Sequence, residues 1–110
     1  MTTTEEITYL TAASNLIRQA CRTDLAKEIE WSLNSEQEEQ FRSGMLISAA
    51  FLIGQCDFDD DHEGEDIYDV VCALTVAPDT LFENAQNWEE EKLVVYADDC
   101  DKYVAYLNAL

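Results

Sequence analysis

The sequence predicts an all-α protein, a compact single-domain bundle of five or six helices with short loops and one longer acidic loop. Apolar residues recur at intervals of three and four along most of the chain, which is the period of an amphipathic helix. Capping residues precede several of these segments, and no two segments are convincing as paired strands. The 110 residues, 47% of them hydrophobic, suffice for one core within a single domain, residues 1–110.

Two helices are expected in the first third of the chain. Thr3-Thr4-Glu5-Glu6 reads as a capping box, with Thr3 at the N-cap and Glu6 three residues later. The apolar stripe of this first helix consists of Ile7, Leu10, Ala13, Ile17 and Cys21. Thr23 is the expected cap of a shorter second helix, whose apolar residues are Leu25, Ile29 and Leu33.

A third helix is expected to begin at the capping box Ser35-x-x-Glu38. Its expected apolar stripe consists of Phe41, Met45, Ile47, Ala49, Leu52 and Ile53. Because the segment 44–54 is nearly all apolar, we expect this helix to be the central one.

An acidic loop, residues 55–66, separates the third helix from the C-terminal half. A fourth helix should follow and end at Pro78, and Asp79 should cap a fifth. Residues 93–96 are β-prone and are interpreted as an irregular or helical connector. The pair Asp98-Asp99 is expected to cap the last helix.

The charge is large and unevenly distributed. The chain has 24 acidic and 6 basic residues, a formal net charge of −18, and 19 of the acids lie in residues 35–110 with only three bases. Direct binding to nucleic acid or to anionic membranes is therefore excluded, because both need a basic surface. The N-terminal residues 1–6 have neither the positive nor the apolar region of a secretory signal, and no apolar stretch is long enough to span a bilayer. We therefore expect a cytoplasmic protein, in the host cytoplasm if a phage encodes it.

Catalysis, cofactors and metals find little support in the sequence. The only histidine, His62, lies among carboxylates, and no nucleotide-binding glycine motif is present. We therefore expect a non-enzymatic protein with no cofactor and no metal site. The four cysteines are expected to be small buried residues on the apolar stripes: Cys21, Cys56, Cys72 and Cys100.

A weak EF-hand-like calcium site is the lesser alternative. Counted from Asp59, the loop places acidic residues at positions 1, 3 and 5 (Asp59, Asp61 and Glu63) and Gly64 at position 6. Position 12 is Val70, where an EF-hand has its bidentate glutamate, so any such site would bind calcium weakly.

The carboxylates themselves are the main candidate binding residues. The net charge of the chain exceeds in magnitude the roughly 2–8 units that are usual for a small domain. Phe58 and Trp88, both flanked by acids, are the expected apolar anchors. The acidic partner-binding residues are Glu36, Glu38, Glu39, Asp57, Asp59, Asp60, Asp61, Glu63, Glu65, Asp66, Asp69, Glu89, Glu90, Glu91, Asp98, Asp99 and Asp101.

Carboxylates four residues apart on a helix have a spacing similar to that of successive DNA phosphates, so they could imitate a nucleic acid. In charge, length and helical character the chain resembles the small acidic decoy proteins of phages and mobile elements. That resemblance implies an anti-CRISPR or anti-restriction inhibitor whose partner is a basic nucleic-acid-binding protein. An immunity protein or antitoxin that neutralises a basic toxin remains the alternative. The sequence does not indicate the oligomeric state.

Overall fold

The computed structural model describes residues 2–21, 35–56, 58, 65–84 and 90–109, and four α-helices account for nearly all of them. They are α1 (Thr3–Ala20), α2 (Ser35–Gly54), α3 (Tyr68–Asn84) and α4 (Glu90–Asn108). The all-α class is confirmed, and the described residues form four helices, where five or six were expected for the whole chain. The expected second helix, with Leu25, Ile29 and Leu33, lies outside the described residues.

The helices pack as a ring around one core. Helix α1 contacts α2 and α4, and α3 contacts the same two helices from the opposite side. Near the start of α2, Arg42 donates a hydrogen bond from Nη1 to the carbonyl of Ala20, the last residue of α1 (3.2 Å). The end of α1 therefore lies beside the start of α2, and these two packed helices run antiparallel. None of the four described helices is long and apolar enough to cross a membrane.

Helix α1 begins one residue earlier than the sequence predicts. Thr2 is the N-cap, with an extended backbone, and its hydroxyl oxygen accepts a hydrogen bond from the Glu5 amide (3.2 Å). The run Thr2-Thr3-Thr4-Glu5-Glu6 contains two overlapping capping boxes, and the structure uses Thr2 with Glu5 rather than Thr3 with Glu6. The expected stripe is confirmed for its buried members, Leu10, Ala13, Ile17 and Cys21, and Ile7 packs against them.

Helix α2 is not the central helix, because one of its faces is open to solvent. The residues that it directs into the core include Leu46, Ala49, Ala50 and Ile53. The expected stripe is wrong at two positions, since Phe41 is 40% exposed and Ile47 is 43% exposed. The physical reason is the number of apolar residues: they occupy both faces of α2, so periodicity alone does not identify the buried one.

Helix α3 continues through Pro78 instead of ending there. A proline in a helix interior removes one backbone hydrogen bond and normally kinks or ends the helix. Here the buried stripe Val71, Leu74, Ala77 and Leu81 runs past the proline without a change of face. Burial of Ala77 and Leu81 holds the chain helical, so the expected fourth and fifth helices are one element.

Helix α4 begins at Glu90, before the β-prone segment, and not at Asp98-Asp99. Residues 93–96 are helical because Leu93 belongs to a stripe with helical spacing. That stripe consists of Leu93, Ala97, Cys100, Tyr103 and Leu107, all buried. Asp98 and Asp99 consequently lie in the middle of α4 rather than at its N-terminus.

All four cysteines are free thiols. Cys21, Cys56 and Cys100 are buried, as expected, but Cys72 is exposed on α3. Its neighbour Val71 and the core residue Leu74 occupy the buried side of that turn, so the thiol of Cys72 faces away from the core.

Candidate functional site

The start of α3 carries an exposed group of carboxylates. Glu65 and Asp66 precede the helix, Asp69 lies in its first turn, and all three are exposed. The Tyr68 amide donates a hydrogen bond to the Glu65 carbonyl (3.1 Å), which closes the turn that leads into the helix. Carboxylates at this position interact favourably with the partial positive charge of the helix N-terminus.

These carboxylates border a groove between the start of α3 and the C-terminal half of α4. The groove has a volume of about 470 Å³ and is lined by Glu65, Asp66, Ile67, Val70, Lys102 and Tyr106. We call these six residues the acidic groove. Ile67, Val70 and Tyr106 are partly buried against the core and form an apolar floor, whereas Glu65 and Asp66 are exposed at the rim.

A second carboxylate pair lies where α4 meets α1. The Arg18 Nη2 atom donates hydrogen bonds to Asp98 Oδ1 (2.8 Å) and to Asp101 Oδ2 (2.6 Å). These bonds, that to Asp98 first, raise the pKa of Arg18 above its ordinary value. One cation thus bridges two helices and partly neutralises two of the predicted binding residues.

Asp99 has a different environment from its neighbours, because only 8% of its surface is exposed. Burial raises the pKa of the Asp99 carboxyl above its ordinary value; nearby Lys102 lowers it, and Asp98 raises it further. Asp99 therefore presents little carboxylate surface to a partner, although it belongs to the predicted set.

Phe58, one of the two expected anchors, is partly buried. Its ring meets Tyr103 edge-on at a centroid distance of 5.3 Å, and Tyr103 in turn lies 5.8 Å from Tyr106. The three rings form a row from the Phe58 segment to the acidic groove. This packing ties Phe58 to the core and leaves only part of its ring accessible.

For the other predicted site residues the structure gives at most the helix to which they belong. Glu36, Glu38 and Glu39 belong to the first two turns of α2, and Glu90 and Glu91 to the first turn of α4. The remaining members lie outside the described residues: Asp57, Asp59, Asp60, Asp61, Glu63, Trp88 and Glu89. The structure therefore brings together Glu65, Asp66 and Asp69 at one place, and Asp98 and Asp101 at another.

Sequence reasoning missed the apolar floor and Lys102. None of Ile67, Val70, Lys102 and Tyr106 is among the binding residues that the sequence predicts. One signal was present: Lys102 and Tyr106 are four residues apart and therefore share a face of α4. That this face lies beside the start of α3 depends on helix packing, which spacing along one helix does not reveal.

The described residues contain no cluster of three or more histidine, cysteine or acidic side chains that could hold a metal ion. The loop positions of the calcium alternative, 59–64, lie outside them. Val70, at the EF-hand glutamate position, is an apolar residue that is partly buried against the core. Burial, followed by the charges of Asp101 and Asp99, raises the pKa of Cys100 to about 12, so this thiol stays protonated at neutral pH.

Comparisons with protein-family models, with curated proteins and with solved structures found no significant match to this chain.

Proposed function

We propose that this protein is a non-enzymatic inhibitor that occupies the nucleic-acid-binding surface of a basic protein. The net charge of −18 on a helical frame carries the proposal, since most of that charge lies in residues 35–110. Self-repulsion of this size destabilises a compact domain, and a use in binding explains why the chain maintains it. The class of partner is a cationic groove that normally holds DNA or RNA, such as that of a CRISPR effector or a restriction enzyme.

Few described cations offset the exposed carboxylates. Arg18 is already bonded to Asp98 and Asp101, and Arg42 is buried beneath the end of α1. Lys102 is the remaining basic residue whose side chain the structure describes, and it is exposed. A cationic partner would therefore meet carboxylates with little competition from the described bases, and long-range attraction would accelerate the encounter.

The acidic groove is the described place best suited to hold one basic side chain of the partner. The stem of an arginine or lysine would lie on Ile67, Val70 and Tyr106, and its cationic end would reach Glu65 and Asp66. Lys102, which also lines the groove, has the same sign as this ligand and would repel its charged end, whereas Glu65 and Asp66 would attract it.

The partner is identified by capture and competition. Immobilised protein is incubated at low salt with lysate of the cell that hosts the gene, and proteins eluted at high salt are identified by mass spectrometry. We expect nucleic-acid-binding proteins that duplex DNA or RNA displaces and whose activity the chain inhibits. Captured proteins that bind nucleic acid and the chain simultaneously would reject the decoy mechanism. A captured toxin would favour the immunity-protein alternative.

Charge reversal tests whether the contact is local. The variant Asp66→Lys/Asp69→Lys changes the charge beside the acidic groove, and Asp79→Lys/Glu83→Lys makes the same change near the other end of α3, where both residues are exposed. We expect the first variant to lose inhibition and the second to lose much less. Equal losses would show that only the overall field matters and that the groove is not the contact.

The same reversal applies to the two acidic clusters that lie largely outside the described side chains, Glu89–Glu91 and Asp59–Asp61. Each triple exchange to lysine is expected to abolish inhibition while the far-ultraviolet circular dichroism stays helical. Full inhibition by both triple variants would contradict the proposed function.

A further inference from the structure

One face of α2 is both exposed and uncharged. Its apolar members include Phe51, which is 63% exposed, together with Phe41 and Ile47. Within residues 40–55, where the structure describes the side chains, the exposed positions are Gln40, Phe41, Gly44, Ile47, Ser48, Phe51, Gly54 and Gln55. We call these eight residues the α2 stripe. It contains no ionisable side chain, although the whole chain carries 24 acidic residues.

The glycines of the α2 stripe are not required by the fold of the single chain. A Cβ added to Gly44 would meet no heavy atom within 4 Å, and one added to Gly54 would lie 3.8 Å from Pro78 Cγ, an ordinary contact. Glycine is less favourable than alanine inside a helix. Gly44 leaves a notch between Phe41 and Ile47, and Gly54 leaves a second one at the end of the helix, beside Pro78.

From this pattern we propose that the α2 stripe is a homodimer interface in which α2 packs antiparallel against α2 of a second copy. A two-fold axis between Ile47 and Ser48 places every large apolar residue of the stripe opposite a small one. Phe41 then faces Gly54 of the second copy, Phe51 faces Gly44, and Ile47 faces Ser48. The same axis pairs Gln40 with Gln55, so the stripe is complementary to itself, as an isologous interface must be.

The absence of charge on the α2 stripe also favours a second copy of the chain over a basic protein as its binding partner. Two molecules of net charge −18 repel each other, so they can meet closely only on a face that lacks carboxylates. The α2 stripe is such a face. A basic partner, by contrast, gains nothing electrostatically from an uncharged surface when acidic ones are available.

The size of the stripe predicts a weak dimer. Residues 40–55 extend about 22 Å along the helix axis and the contact is one helix wide. This is small beside the roughly 800 Å² per partner of a standard interface, and charge repulsion opposes association further. The dimer should therefore depend on protein concentration and should become stronger with salt, which screens the repulsion.

Sedimentation velocity of the full chain under reducing conditions tests the proposal, from low micromolar to near-millimolar protein and at about 0.05 and 0.5 M NaCl. We expect a monomer–dimer equilibrium that shifts toward dimer at the higher salt concentration. A chain that remains monomeric throughout this range would overturn the proposal.

Three variants locate the contact. Gly44→Leu fills a notch and Phe51→Asp introduces a carboxylate opposite one, so each should weaken dimerisation at least about tenfold. Val95→Asp adds the same charge at a residue of α4 that is 53% exposed, and it should dimerise like the wild type. Gly44→Leu should also melt no lower than the wild type, because leucine has a higher helix propensity than glycine. This melting temperature distinguishes a loss of dimerisation from a loss of folding. Unchanged dimerisation of Gly44→Leu would contradict the interface.

Oxidative cross-linking tests the register. In a Cys72→Ser background, which removes the exposed thiol, Ser48→Cys lies next to the two-fold axis and should form a disulfide-linked dimer. Gln40→Cys is the control, because an antiparallel pair separates the two copies of residue 40 by about 22 Å. Cross-linking of Gln40→Cys in preference to Ser48→Cys would overturn the antiparallel arrangement.

The dimer and the proposed inhibition can fail separately. Binding to a basic partner should weaken with salt, whereas dimerisation should strengthen. Loss of partner binding in Phe51→Asp, combined with a monomeric wild type, would assign the stripe to the partner and reject the second copy.

Discussion

At the residue scale, Arg18 shows how one cation organises a surface with an excess of anions. Asp98 and Asp101 are three residues apart on α4 and repel each other, and the Arg18 guanidinium reaches both from α1. All three side chains are between 41% and 53% exposed, so solvent weakens each ion pair. The bridge is therefore a modest contributor that matters most at low salt.

We expect Arg18→Met, which keeps an apolar stem but removes the charge, to lower the free energy of unfolding by about 0.5–1 kcal/mol at low salt. A double-mutant cycle with Asp101→Asn, measured by urea denaturation, isolates the pair. The coupling energy should shrink toward zero at about 0.5 M NaCl, where the Debye length is only a few ångströms. A coupling that salt leaves unchanged would show that the contact is not electrostatic.

The buried Asp99 carboxyl should make the stability of the wild type depend on pH in a way that an Asp99→Asn variant does not show. Its folded-state pKa is raised, chiefly by burial, above the ordinary value of 3.8, so the folded chain holds this proton more tightly than the unfolded chain. Ionisation of Asp99 therefore destabilises the fold above its folded pKa, and this cost disappears as the pH falls toward 3.8. Asp99→Asn should melt at a higher temperature than the wild type at pH 7, and the two should converge on acidification. A variant that is less stable at pH 7 would show that the ionised carboxylate is stabilised by its surroundings.

At the element scale, the sequence predicts helices well where one face alone is apolar. Helix α1 follows its predicted stripe, and only its cap shifts by one residue, because Thr2 and Thr3 offer equivalent capping boxes. Helix α2 has apolar residues on both faces, and the buried one depends on neighbours far away in the chain. The candidate site divides in the same way: its carboxylates are evident in the sequence, whereas the apolar floor of the acidic groove arises only when α3 packs on α4.

In α3 and α4 as well, packing rather than local propensity determines the secondary structure. Pro78 and the β-prone residues 93–96 both oppose helix, yet each lies on or beside a buried helical stripe. Local propensities are worth a few kcal/mol or less, and burial of large apolar side chains such as Leu81 and Leu93 outweighs them.

Replacement of Pro78 by a residue with a backbone amide should consequently stabilise the fold. Pro78→Ala restores an amide that can bond to the Leu74 carbonyl, and we expect the free energy of unfolding to rise by about 1–2 kcal/mol after the entropy gained by the unfolded chain is subtracted. Equilibrium denaturation with urea measures the change. The control is Thr80→Ala, which removes the side-chain bond to the Val76 carbonyl (3.2 Å) and leaves the backbone unchanged. A less stable Pro78→Ala would show that contact of the proline ring with the Gly54 region outweighs the missing backbone bond.

At the scale of the whole molecule, charge density sets the conditions under which the protein is stable. A net charge of −18 on 110 residues produces repulsion that is stronger in the folded chain than in the expanded unfolded one. The described cations do little to relieve it, since Arg18 offsets two carboxylates and Arg42 lies in the interior. Screening or partial protonation should therefore favour the folded state.

The melting temperature should rise by several degrees when NaCl increases from about 0.02 to 0.5 M at pH 7, because salt shortens the range of the repulsion. It should also rise as the pH falls from 7, because burial raises the folded-state pKa of Asp99, so the folded chain binds this proton more readily than the unfolded chain. Differential scanning calorimetry at dilute protein, where the proposed dimer is dissociated, separates this effect from association. The neutralised variant Asp79→Asn/Glu83→Gln should start from a higher melting temperature at low salt and respond less to NaCl. A melting temperature that falls under both changes would mean that specific ion pairs, such as that of Arg18, outweigh the general repulsion.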